Sequence, residues 1–65
     1  NAVRAVQYYE QAALQGHPVA QYRLALHYRD GEGVAQDTVK AREWLTRAAE
    51  QGNPDAAKAL AALSA

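Results

Sequence analysis

The sequence predicts an all-α chain, an α/α solenoid of two helix-turn-helix repeats with four antiparallel helices. Three observations lead there. The chain matches itself when shifted by 36 residues, its apolar residues recur at steps of three and four, and Gly and Pro fall between the periodic runs. The shift lays Ala5–Ala20 on Ala41–Ala56 and extends to Val3 on Val39 and to Leu24-Ala25 on Leu60-Ala61. Ten of the 29 aligned pairs are identical, and they concentrate at apolar, Gly and Pro positions. A shared core beneath a freely varying surface produces that distribution.

Each element follows from local chemistry. In the first helix, expected over 2–15, Ala5, Tyr8, Tyr9, Ala12 and Ala13 line one face. Gly16 stands where a left-handed residue ends a helix, and Pro18 suits the first position of the next, over 18–29. That second helix carries Ala20, Leu24 and Tyr28 on one stripe. The grammar then repeats. Asp37 is a good N-cap for a helix over 37–51, built on Ala41, Trp44, Leu45, Ala48 and Ala49. Gly52 closes it, and Asn53-Pro54 opens a helix over 54–64 with Ala56, Leu60 and Leu63 inward. Tyr8 and Trp44 hold equivalent positions and are expected to pack helix on helix. Between the copies, Gly31 and Gly33 allow positive φ, and Val34 is expected to plug the groove between helices.

These residues resemble a known family. Tyr28-Arg29-Asp30-Gly31-Glu32-Gly33-Val34, then Asp37, Lys40-Ala41, Trp44, Ala48-Ala49-Glu50-Gln51-Gly52 and Ala56, look like the Sel-1-like repeat of the tetratricopeptide superfamily. The resemblance covers essentially the whole chain. Plain tetratricopeptide repeats are shorter, at about 34 residues, and lack the Gly-x-Gly-Val loop. Leu45 departs from the pattern, standing where the family often has an aromatic beside the Trp, and the last helix lacks the family's Tyr and Gly loop. The resemblance implies one Sel-1-like unit over 1–65, with repeat one at 1–36 and repeat two at 37–65, within a longer array. It also implies an adaptor or assembly role, frequent in bacterial envelope, secretion or signalling contexts.

Composition narrows the function. Seven basic residues balance seven acidic ones, so no basic stripe offers itself to nucleic acid. No apolar run reaches the roughly 20 residues of a membrane span. Cysteine is absent, which removes disulfides and thiolate metal sites. The chain starts at Asn1 and holds no Met, as a fragment or processed segment would. Small scaffolds without a staple are marginal, and solenoids need about three repeats. The final helix shows Ala59, Ala62, Leu63 and Ala65 rather than a polar cap, so self-association through open repeat ends is expected.

Catalytic and cofactor readings find little support. His17 and His27 are ten apart, whereas a helical metal pair wants three or four. The loop lacks the third Gly of a dinucleotide fingerprint, and counting from Asp30, Ala35 stands where a calcium loop needs Gly. Ser64, Thr38 and Thr46 have no His-carboxylate pair beside them in the sequence. The chain reads as no enzyme, with no catalytic, metal or cofactor-binding residues. A protein or peptide is the expected partner, met on the concave face formed by the first helix of each pair. Subtracting the apolar faces leaves two polar ladders, Arg4, Gln7 and Gln11 on the first helix and Lys40, Glu43 and Arg47 on the third. Tyr22 joins them as a candidate exposed aromatic anchor, because its repeat counterpart is Lys58. The alternative role is a capping or spacer segment with no ligand of its own.

Overall fold

Four helices account for most of residues 1–64, which the computed structural model describes; Ala65, expected at the open end, lies outside them. They are α1 (Ala2–Leu14), α2 (Pro18–Asp30), α3 (Thr38–Glu50) and α4 (Pro54–Ser64). Asn1 caps α1 by accepting from the Val3 and Arg4 amides, and Asp37 caps α3 by accepting from Lys40 N at 3.0 Å. Asn53 Oδ1 does the same for Ala56 N at 3.0 Å. Each such cap contributes about 1 kcal/mol.

The two intra-repeat turns are built alike. Gly16 and Gly52 adopt φ 92° and 93°, and each donates back to the second-last helical residue, Gly16 N to Ala13 O and Gly52 N to Ala49 O, both at 2.9 Å. The following residue closes the outer bond, His17 N to Ala12 O at 3.3 Å and Asn53 N to Ala48 O at 3.1 Å. This is the Schellman arrangement, and it sends the chain back antiparallel.

The inter-repeat loop is tied more heavily. Gly31 N and Glu32 N donate to His27 O, Asp37 N donates to Tyr28 O, and Gln36 Nε2 donates to Arg29 O. The His27 ring closes a further bond, its Nδ1 donating to the Glu32 carbonyl at 3.0 Å while its ring lies 5.8 Å from that of Tyr9. Gly33 lies against the first turn of α1, where an added Cβ would collide with the Ala2 carbonyl group. Val34 packs against the core, as its isolation in a polar loop predicts. Arg29 and Asp30 form an exposed ion pair at 2.8 Å. The Arg29 hydrogen bond holds the Asp30 carboxyl below its ordinary range, so whatever small stabilisation it adds is present at neutral pH and fades as pH falls through that lowered value.

Packing is sequential: α1 on α2, α2 on α3, α3 on α4, in a slab of 27 × 24 × 15 Å. One cluster gathers Val6, Ala13, Ala20, Leu24, Tyr28 and Ala41; a second gathers Ala25, Leu45, Ala48 and Ala56. Trp44 is half-buried against both. The stripes expected of α2 and α3 are thus inside. Tyr8 is not: it is 70% exposed, contrary to its equivalence with Trp44. Trp44 is flanked by α2, whereas no element among the described residues covers the corresponding edge of α1. Val6, whose repeat counterpart is Arg42, is buried instead.

One buried polar side chain joins the copies. Gln21 donates from Nε2 to Ala13 O at 3.1 Å and accepts at Oε1 from Gln51 Nε2 at 2.9 Å. The end of α1, the start of α2 and the end of α3 are thereby linked, and no buried side-chain polar atom among the described residues lacks a partner.

Gly52→Val is expected to cost more than about 1 kcal/mol, from backbone conformation alone. Gly33→Ala should cost more than Gly16→Ala, because only the former adds a collision; urea midpoints would check both. Gln21→Ala is expected to cost about 1–2 kcal/mol, and a double-mutant cycle with Gln51→Ala should show coupling of about 0.5 kcal/mol or more. Calorimetry should find Tyr8→Ala within about 0.5 kcal/mol of wild type and Trp44→Ala losing more than about 2.

Candidate functional site

On α3, Lys40, Glu43, Trp44 and Arg47 lie one turn apart along a single face, with Trp44 bordering the buried stripe of Ala41, Leu45 and Ala48. Lys40 Nζ stands 5.4 Å from the centroid of the Tyr28 ring, and Arg47 Cζ stands 4.8 Å from that of Trp44. Cation–π attraction of about 0.5–1 kcal/mol each holds the two cations over aromatic ground. With Glu10 from α1, these residues line an open groove of about 210 Å³. The one ion pair within 4.0 Å among the described residues is Arg29–Asp30, outside this groove. Glu10, Lys40, Glu43 and Arg47 are all exposed, and their charges face solvent without a close partner.

The structure brings together three of the expected contact residues and leaves others apart. Lys40, Glu43 and Arg47 share the groove. Arg4, Gln7 and Gln11 are exposed on α1, as expected, but do not line it. Glu10, a residue outside the expected ladder, takes the α1 side. Helix geometry explains this. At about 100° per residue, Glu10 sits about 60° around α1 from Gln7, on the opposite flank of the ladder from Tyr8. Successive repeats run side by side, so the groove is made from one flank of α1 and the other flank of α3. Glu10 and Trp44 occupy those flanks.

Tyr22, expected as an exposed aromatic anchor, is half-buried: part of it packs against the cluster of Ala25, Leu45, Ala48 and Ala56, so it is less open than the exposure of its counterpart Lys58 suggests. The most exposed aromatic is Tyr8, which borders an apolar hollow with Tyr9, Ala12, His17, Val19 and Ala20. No helix among the described residues is long and apolar enough to cross a membrane.

Comparison with known proteins agrees with this architecture. The Sel1 repeat model matches residues 1–17 and 18–53, the second match running through α2, the loop and α3. A Sel1 repeat protein of Oxalobacter formigenes superposes with a TM-score of 0.90 at 48% identity, covering 92% of this chain and 45% of that one. A protective antigen of uropathogenic Escherichia coli with an SLR fold gives 0.82 at 41% identity, over 83% of this chain and 12% of that one. An uncharacterised protein of Neisseria meningitidis serogroup B is 46% identical over 68% of the chain, and chitin synthase regulatory factor 3 of Schizosaccharomyces pombe is 40% identical over 92%. The chain spans 9% and 6% of those two relatives. With the family pattern matched from Asn1 to Asn53 and the helical hairpins superposing closely, the chain belongs to the Sel1 repeat family.

Proposed function

We propose that residues 1–65 form a non-catalytic protein-interaction module whose contact surface is the groove between α1 and α3. Sel1 repeats are generally protein–protein interaction modules, which sets the class, and the charges of this chain point to the site. The observation that carries it is the set of unpaired charges, Glu10, Lys40, Glu43 and Arg47, around the Tyr28 and Trp44 rings. Such a surface offers both directional polar contacts and flat apolar area, the combination that dominates binding energy at interfaces. Arg4, Gln7 and Gln11 extend the same polar side along α1. Chitin synthase regulatory factor 3, by its name a regulator, is in keeping with a binding role of this kind.

A second reading, a spacer that associates through its open edge, draws on the apolar hollow beside Tyr8 and the exposed Val19. The two make different demands. Peptides selected from a displayed random library against the wild-type chain are expected to lose at least about tenfold in affinity for the Lys40→Glu/Arg47→Glu variant, with its helix content unchanged. Amide shifts on binding should centre on residues 40–47. Perturbations confined to the Tyr8 edge, or affinity indifferent to the double variant, would sink the groove assignment.

A further inference from the structure

Resting on the groove as contact surface, we infer that its occupant is an α-helix presenting an acidic–basic–acidic stripe at i, i+3 or i+4, and i+7. Lys40 and Arg47 are seven residues apart on one helix, so their backbone positions stand about 10.5 Å apart along its axis. Between them stands Glu43, with Glu10 facing in from α1. The groove therefore runs positive, negative, positive along α3. Neither cation is neutralised by a close carboxylate, and each is seated over an aromatic ring, so both are positioned before a partner arrives.

That interval selects the partner's backbone. In a helix, residues i and i+7 lie on the same side about 10.5 Å apart, matching Lys40 and Arg47 with two carboxylates. The residue at i+3 or i+4 falls midway on the same stripe, where a Lys or Arg meets Glu43 and Glu10. An extended strand cannot repeat this. At about 3.3 Å per residue it covers that interval in three steps, and its side chains then point to opposite sides. Two or four steps restore the side but give about 6.6 or 13 Å. The volume, about 210 Å³, suits a single inserted side chain beneath a helix lying along the rim. The charge order is symmetric, so either helix direction satisfies it.

Trp44 is the chain's one tryptophan and lies in the groove, so its emission reports occupancy directly. The probes are three tryptophan-free peptides of about 15 residues. The first is an alanine-based helix with Glu at i and i+7 and Lys at i+4. The second is its charge-inverted twin. The third has the first peptide's charged residues at alternate positions between prolines, so that it stays extended. The first is expected to change Trp44 emission saturably and to bind at least about tenfold tighter than the other two. Lys40→Glu/Arg47→Glu should move the preference to the charge-inverted helix. Equal binding of the extended peptide would overturn the helical occupant, and equal binding of the inverted helix would overturn the charge pattern. No emission change with any of the three would overturn both. None of these results touches the interaction reading itself, which the library selection and its shift map decide separately.

Discussion

Ala25 on α2 and Ala41, Leu45 and Ala48 on α3 are completely withdrawn from solvent, and the close approach of those two helices arranges everything else. Small side chains let the backbones come near, and Leu24 and Leu45 fill what remains as the largest fully buried groups. In a slab only 15 Å thick there is little other interior to bury. Each copy must return its second helix to the first helix of the next, and the loop between Gly31 and Asp37 is the shortest part of that path with freedom to vary.

The loop does not use that freedom. Four backbone or side-chain donors tie it to the end of α2, His27 accepts no slack at Glu32, and Gly33 lies so close to α1 that no side chain fits. Gln21 extends the same logic into the core, linking the ends of α1 and α3 through α2. A buried amide with both partners supplied adds direction to packing that alanines alone leave slippery. These fixtures hold α1 and α3 side by side through α2, and the groove is the space left between them.

Family membership and local detail answer different questions here. The Sel1 match over 18–53 is centred on the α2–α3 contact, the part of the chain most completely buried. The groove charges sit outside that core, on positions free to differ between copies: Lys40 against Arg4, Glu43 against Gln7, Arg47 against Gln11. Packing defines the family, and the exposed flanks are where the two copies differ.

Helix existence, caps and turns were legible in the sequence because each depends on residues a few positions apart. Asp37, Asn53, Gly16 and Gly52 do locally what their chemistry requires, and the stripe Ala20, Leu24, Tyr28 is buried as its period demands. Periodicity names a face but not what covers it. Tyr8 and Trp44 share a register, yet one is exposed and the other half-buried, because among the described residues a preceding hairpin packs beside α3 and none beside α1. Tyr22 packs where its Lys58 counterpart is exposed, and Glu10 enters the groove, for the same reason: neighbouring helices meet on opposite flanks. The burial of Val6 and the Gln21–Gln51 bond likewise join positions with no local sequence signal. The sequence by itself determined the helices, their ends and their repeat. Which flanks are covered, and hence where a partner can reach, was decided only by tertiary packing, since covering a face requires a second element at a definite place in space.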